Sequence, residues 1–375
     1  MDRRRSTADR AARRGLDVDA LGRAALPLLA IASLIVVSGL VVMAAVSAGT
    51  FGFDFLAYHQ AALRVLHGER LYDPTVQQTG GFGLFYYPPP FVLAIVPFGF
   101  LSAAAATWVW LGLSVAMLVG GIAILPVRPG VRWLTLLLAG LSWPVAYALK
   151  LGQVGPLLLL LFAIGWRWLD RPAAVGVSGA LGAIVKIQPG LTLAWAVLTR
   201  RYLAAAIGVA VLAVAALVAT LVLGGFAVWG DYLALLRNVS DPITTPHNFT
   251  PGAAAYQAGV PTGVAATIQI ASSALVIATL VLAVARTSAE ASFIVAVVAS
   301  QLLSPVLWDH YAMLLLIPVA WLLERRRWWA AAIPLVTSAA MLFVNLPAAI
   351  YPIVFWIALI AVLGVGLREQ RQSPA

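Results

Sequence analysis

The chain has 375 residues, of which 62% are hydrophobic and only 10% are charged, and it contains no cysteine. Soluble domains average about 45–50% apolar and about 25% charged residues, so a water-soluble enzyme is excluded. The lack of cysteine also excludes disulfides, thiolate metal sites and cysteine nucleophiles. The net charge of +10 does not indicate nucleic-acid binding, because the arginines concentrate in short loops and at the N-terminus, where positive charge sets membrane orientation.

Long apolar runs predict an all-α polytopic membrane protein with about 12 transmembrane helices. The predicted spans are 26–47, 88–125, 132–149, 154–168, 172–185, 189–199, 202–224, 262–285, 289–304, 310–323, 328–344 and 347–366. They form one transmembrane domain over 24–367, between a basic tail at 1–23 and a short tail at 368–375. The outer loops are 48–87, with about 40 residues, and 225–261.

Six arginine clusters between Arg128 and Arg371 can all face the cytoplasm only if 88–125 makes one net crossing. Both termini are then cytoplasmic, and nearly every other polar residue lies at the outer face. Polar groups at membrane depth are costly and usually face a cavity or a partner. We therefore expect a multi-pass protein whose active site is on the outer face. Its composition is typical of a GC-rich bacterial genome, which indicates a bacterial plasma membrane.

The first outer loop contains an uninterrupted segment, Asp54–His67, that predicts a short amphipathic juxtamembrane helix ending at Gly68. Asp54 lies at its start. A carboxylate just outside the first span can act as a general base toward an acceptor hydroxyl. The alternative is a helix N-cap, a position that Asp favours strongly; the two roles are compatible.

The only two lysines are Lys150 and Lys186. Lys186 precedes Gln188-Pro189-Gly190, a helix breaker in an apolar segment, where an ammonium can hold a phosphate or extend to the interface. For Lys150, near a helix end, extension to the interface is the favoured interpretation. Gln153 places an amide at a helix start, either in the site or as a cap.

The segment 304–311 (SPVLWDHY) ends a helix at a proline and brings Trp, Asp, His and Tyr together. His310 could bind a phosphate or relay a proton, and Asp309 could cap the helix that follows. The remaining histidines have no metal-ligand spacing. Asp54 with Asp309 is the only pair of carboxylates that we consider as ligands for a divalent ion. No metal site or cofactor is predicted, although a divalent ion stays an open alternative.

Together these motifs resemble glycosyltransferase family 87. The resemblance rests on DFLAYH at 54–59 with GERLY at 68–72, FYYPP at 85–89, GQ at 152–153, KIQP at 186–189 and SP…WDH at 304–310. The family has the GT-C membrane fold and includes polyprenyl-phosphate-mannose-dependent mannosyltransferases and arabinofuranosyltransferases. The aspartate motif departs from the Asp-Leu-His-Val-Tyr type of the mannosyltransferases, which leaves the sugar and the acceptor open.

The resemblance implies transfer of a sugar, with mannose expected first, from a polyprenyl-phosphate donor to a lipid or glycan acceptor. It implies Asp54 as the catalytic base and Lys186 and His310 at the donor phosphate, to which we add Arg64. The residues assigned to substrate binding are Tyr58, His59, Tyr87, Gln153, Gln188, Trp308 and Asp309. Membrane lipids are the other expected partners, and the oligomeric state stays open.

The residues themselves favour an inverting transfer. A lipid phosphate is a stable leaving anion, so the site needs one base and cations for the phosphate. A double displacement would need a second carboxylate close to the first, and none is evident near Asp54. The main alternative is a transporter or flippase of lipid-linked sugars, which would place polar residues near the midplane and often contain internal repeats.

Overall fold

The computed structural model describes residues 18–73, 75, 83–238, 241–342 and 349–372, with side chains from residue 25 onward. Most of the predicted N-terminal tail, part of the first outer loop and the last three residues lie outside the described residues. Within them 79% of the residues are helical and there are no strands, which is consistent with the predicted class of all-α polytopic membrane protein.

The α-helices follow the predicted spans closely, with breaks at prolines and glycines. They are α1 Val18–Ser47, α2 Phe53–Leu66, α3 Pro89–Ile95, α4 Ala103–Ile124, α5 Pro129–Gly140, α6 Trp143–Leu151, α7 Gly155–Arg167, α8 Pro172–Val185, α9 Leu191–Leu198, α10 Tyr202–Val222, α11 Ala227–Asn238, α12 Pro251–Gln257, α13 Thr262–Arg286, α14 Ala289–Leu302, α15 Leu316–Glu324, α16 Ala332–Leu342 and α17 Ile350–Gln372.

Among the described residues, five helices are long and apolar enough to cross a membrane. They are Ala25–Ser47 within α1, then α4, α10, α13 and α17. The pair α5 and α6, bent by 65°, is a sixth candidate if it forms one span. The remaining apolar helices are shorter, so the predicted count of 12 crossings stays a prediction.

Three of the shorter helices, α7, α8 and α14, have 13 or 14 residues. Proline in the first turn starts α7 and α8, because its missing N–H is unpaired there in any helix. The predicted span 88–125 is broken into α3, a 3₁₀ helix at Val96–Phe100 and α4. The segment 189–199, which is too short to span alone, forms a 3₁₀ turn followed by the eight-residue α9.

The arginine clusters gather at one end of the bundle, which we call the basic end. Arg128 at the start of α5 binds the Glu324 carboxylate at 2.9 Å, and the neighbouring Arg325 binds Glu290 and Glu369, each at 2.8 Å. In the loop after α7, the Asp170 carboxylate lies 3.5 Å from Arg201. These ion pairs connect the starts of α5, α10 and α14 with the ends of α7, α15 and α17.

The other end of the bundle, which we call the site end, is where α7 begins and where α8 and α14 finish. The short helices therefore lead from the basic loops to the segments around Gln153, Lys186 and Ser304. The two loops predicted to be outer contact each other: Arg70 binds Asp231 of α11 through two hydrogen bonds of 2.7 and 3.1 Å. The Tyr232 ring packs 5.3 Å from the Tyr72 ring.

Candidate active site

Helix α2 carries Asp54 in its first turn. The helix begins with Gly52 as its N-cap at φ 74°, and the Gly52 N–H donates to the Lys150 carbonyl at 2.8 Å. A side chain on Gly52 would come within 2.4 Å of Thr107, so this close approach requires glycine. Since Gly52 occupies the cap position, Asp54 does not cap the helix, and its carboxylate is free for another role. Gly68, at φ 72°, follows the end of α2 as predicted.

The Asp54 carboxylate accepts a hydrogen bond of 2.6 Å from Gln153 Nε2. Burial raises the pKa of Asp54 above its ordinary value of 3.8, while the nearby charge of His310 and the Gln153 hydrogen bond lower it. The charges of Lys186 and Lys150 lower it further. Gln153, His310 and both lysines of the chain therefore act on one carboxylate, although they come from three separate segments.

Two tyrosines fix the orientation of the Gln153 amide. The hydroxyls of Tyr58 and Tyr87 are hydrogen-bonded to each other and lie 3.4 and 3.3 Å from Gln153 Oε1. Each hydroxyl has one proton, so one tyrosine donates to the other, and the second donates to Oε1. Because the amide oxygen accepts this bond, its NH₂ group points to Asp54. Tyr72 in turn donates to the Tyr87 carbonyl at 2.6 Å. This buried network holds the carboxylate in one position.

The turn between α6 and α7 lets α2 approach closely. Gly152 ends α6 at φ 72°, and a Cβ there would lie 2.6 Å from the Cβ of Phe55. Trp110 Nε1 donates to the Gly152 carbonyl at 2.8 Å, and the Trp110 ring stacks 5.2 Å from the Phe55 ring. The glycine therefore allows Asp54 and Gln153 to come within hydrogen-bond distance.

Lys186 lies where α8 ends, in extended backbone before the 3₁₀ turn at Gln188–Gly190. Its ammonium donates to the Tyr311 hydroxyl and lies 4.0 Å from the centre of the Tyr311 ring and 5.6 Å from that of Tyr87. Gln188 Nε2 donates to Ser304 Oγ at 2.7 Å, which ties this turn to the segment after α14. Lys186 is thus a half-buried cation held between two aromatic rings.

His310 and Asp309 begin a 3₁₀ helix at Asp309–Leu315. Asp309 Oδ1 accepts from the His310 backbone N–H at 2.7 Å and lies 3.3 Å from His310 Nδ1. His310 is 4% exposed, and its Nε2 is buried with no hydrogen-bond partner within the described part of the chain. Since buried polar atoms are nearly always paired, this nitrogen is suited to bind a substrate.

Two predicted site residues bond elsewhere. The Arg64 guanidinium donates to the Leu71 carbonyl at 3.3 Å, and His59 Nε2 lies 3.0 Å from the Leu101 carbonyl. Both side chains therefore bind backbone carbonyls of neighbouring loops rather than the Asp54 carboxylate. Trp308 directly precedes the Asp309-His310 pair and is half-buried beside the core.

Asn248 is a structural residue that the sequence analysis missed. Its side chain is fully buried and donates to the carbonyls of Pro242 and Pro305, while its oxygen accepts from the N–H groups of Thr250 and Leu307. It thereby fixes the second outer loop to the segment that carries Asp309 and His310. One asparagine in a polar loop gives no sequence signal for such a role.

An apolar groove lies between α8 and α10. It has a volume of about 450 Å³, and its lining includes Leu181, Ile184, Val211 and Val214. Ile184 is two residues before the half-buried Lys186 in the chain, so the lining includes the last turn of α8. Among the described residues, no group of three His, Asp or Glu side chains is placed to hold a metal ion.

Comparison with known proteins gives one match. The model of glycosyltransferase family 87 matches residues 85–307, which is more than half of the chain. The matched segment includes Tyr87, Gln153 and Lys186, while Asp54 and His310 lie outside it. No curated protein and no solved structure matches the chain.

Proposed function

Because the chain belongs to glycosyltransferase family 87, we propose that it transfers a sugar from a polyprenyl-phosphate donor to a hydroxyl of a lipid or glycan acceptor. Mannose is the expected sugar, with arabinofuranose as the alternative within the family. The observation that carries the proposal is a half-buried carboxylate, Asp54, which is held by Gln153 and acted on by the charges of His310, Lys186 and Lys150.

The proposed reaction is one displacement with inversion. Asp54 removes the proton of the acceptor hydroxyl as its oxygen attacks the anomeric carbon, and the bond from that carbon to the phosphate oxygen breaks. The leaving phosphate takes the electron pair and is stabilised by Lys186 and by His310 Nε2. Among the described residues, the groups that act on Asp54 are Gln153, His310 and the two lysines, with no second carboxylate, which supports a single displacement over a double one.

The apolar groove between α8 and α10 supports a polyprenyl donor. A lipid chain that lies against Leu181 and Ile184 would bring its phosphate to the end of α8, next to Lys186. The groove buries hydrocarbon, and the ammonium supplies the opposite charge to the phosphate. Arg64, which donates to a backbone carbonyl, is a weaker candidate for this role.

The side of the membrane follows from the charge distribution. The arginine clusters lie at the basic end, and cytoplasmic loops carry the excess of Lys and Arg in membrane proteins. We therefore propose that both termini are cytoplasmic and that Asp54 works at the outer face.

Replacing Asp54 with Asn tests the base. The expected result is a loss of transfer by about 10²–10⁴-fold, which is the usual contribution of a general base, while binding of the donor lipid persists. The assay follows radiolabelled sugar from mannosyl or arabinosyl polyprenyl phosphate into lipid and glycan fractions. Asp241→Asn is the matched control, since Asp241 is exposed in the second outer loop.

Full transfer activity of Asp54→Asn would refute the mechanism. Movement of the labelled donor across vesicle membranes without any transfer would instead support a transporter or flippase. Comparing the two labelled donors identifies the sugar directly.

A further inference from the structure

Both lysines of the chain lie near Asp54. Lys186 is assigned to the donor phosphate, whereas Lys150 has no substrate assigned to it. Lys186 is held between Tyr311 and Tyr87 beside the apolar groove. Lys150 comes from α6, and its backbone carbonyl accepts the N–H of Gly52 directly before Asp54. Its positive charge acts on Asp54. The sequence favoured a lysine that extends to the interface, whereas the structure places it beside the catalytic carboxylate.

The side-chain ends of Lys150 and Tyr147 form an unpaired donor set, one turn apart on α6. The Lys150 ammonium lies 5.1 Å from the centre of the Tyr147 ring and forms no ion pair within the described residues. The Tyr147 hydroxyl likewise has no hydrogen-bond partner within them. Both residues are half-buried, and the Tyr147 ring lies 6.4 Å from the His310 ring. An ammonium and a phenol are therefore available next to the reacting groups.

The two lysines approach Asp54 from different helices. Lys186 follows α8, next to the groove shared with α10, whereas Lys150 ends α6, which packs on α1 and on the 3₁₀ helix that begins at Asp309. A donor whose chain occupies the groove reaches Lys186 first. Lys150 is then left for the other substrate, whose hydroxyl must reach Asp54.

We propose that Lys150 and Tyr147 form a second anion subsite, which binds a phosphate in the head group of the acceptor. The acceptor is therefore an anionic glycolipid or phospholipid rather than a neutral glycan. This inference rests on the proposed function, because it assigns the groove and Lys186 to the donor.

The charge of the subsite favours a phosphate over a neutral sugar. A half-buried ammonium that forms no direct ion pair within the described residues is costly in a membrane protein, and the adjacent aromatic ring offsets only part of this cost. A phosphate offers oxygens to both the ammonium and the phenol, in charge-assisted hydrogen bonds that are about twice as strong as neutral ones. A neutral hydroxyl offers no compensating charge.

Binding measurements on the full chain in detergent test the subsite without turnover. The probes are short-chain phosphatidylglycerol, its uncharged counterpart diacylglycerol, and a polyprenyl phosphate. Lys150→Met is expected to weaken phosphatidylglycerol binding about tenfold, the value of one charge-assisted hydrogen bond, without weakening polyprenyl-phosphate binding. Lys186→Met is the matched control, with the opposite pattern.

Two milder variants keep the test informative if Lys150→Met does not fold. Lys150→Arg keeps the charge and should bind phosphatidylglycerol within about threefold of the unaltered protein. Tyr147→Phe removes only the hydroxyl and should weaken that binding. In transfer assays with a phosphate-bearing acceptor, Tyr147→Phe should raise the acceptor KM without raising the donor KM.

Unchanged phosphatidylglycerol binding in Lys150→Met and Tyr147→Phe would overturn the proposal and return Lys150 to an interfacial role. Equal loss of phosphatidylglycerol and polyprenyl-phosphate binding in Lys150→Met would also overturn it, since the two lysines would then serve one phosphate. Neither outcome depends on Asp54. If Asp54→Asn stays fully active, the proposed function fails while the binding result stands.

Discussion

Replacing Gln153 with Met is the sharpest test of how the carboxylate is held. Met has nearly the length of Gln but no amide, so the 2.6 Å hydrogen bond to Asp54 disappears. The tyrosines that orient the amide keep the hydrogen bond between their hydroxyls. The variant therefore removes the bond to the charged base and the weaker contact of Gln153 Oε1 with the tyrosine hydroxyls.

The expected effect follows from the state of the base. Asp54 must be a carboxylate to accept a proton, so activity falls as the pH falls through its pKa, which burial has already raised above 3.8. The Gln153 bond lowers that pKa, so its loss moves the acid limb of the pH–rate profile to higher pH. A hydrogen bond to a charged group is worth about 1.5–3 kcal/mol, so kcat/KM on the acid side should fall about 10- to 100-fold.

The assay is a pH–rate profile of sugar transfer for the unaltered protein and two variants. Gln188→Met is the matched control, because the Gln188 amide lies in the turn that follows Lys186 but donates to Ser304. We expect the acid limb to move only in Gln153→Met, and the loss to shrink as the pH rises. An unmoved acid limb in Gln153→Met would refute the assignment of Asp54 as the titrating base.

Two further substitutions test the scaffold. Asn248→Ala would leave two buried N–H groups and two carbonyls without their partner. The free energy of unfolding in detergent should therefore fall by at least about 2 kcal/mol. An unfolding free energy equal to that of the exposed control Thr244→Ala would contradict this. Gly152→Ala puts a Cβ 2.6 Å from Phe55 at a positive φ and should abolish transfer, whereas Gly263→Ala, with open space around it, should be tolerated.

Hydropathy and helix breakers were enough to predict most helix boundaries. The predicted spans 172–185, 202–224 and 262–285 differ from α8, α10 and α13 by no more than two residues at either end. The number of membrane crossings could not be predicted from the same signals. Helices such as α7 and α14 are apolar but too short to span on length alone, so their depth depends on packing rather than on composition.

The candidate site was predictable where a polar residue interrupts an apolar segment. Lys186 and His310 stand out for that reason, and Asp54 stands out because it starts the amphipathic segment of the first predicted outer loop; the structure brings the three together. Tyr147 and Lys150 were not predicted to belong to it, because a tyrosine and a lysine at a helix end are typical of a membrane interface. The tertiary contact with His310, rather than any local pattern, identifies them.

The shortness of α7, α8 and α14 has a consequence for where the chemistry happens. Thirteen or fourteen residues reach about 20 Å, some 10 Å less than the hydrocarbon core. If the basic end lies level with one surface, the proposed reacting groups lie in a depression of the opposite leaflet, or the bilayer thins around them. In that arrangement the proposed lipid-linked substrates can meet by sideways diffusion, their chains still dissolved in the membrane, and neither has to be lifted into water.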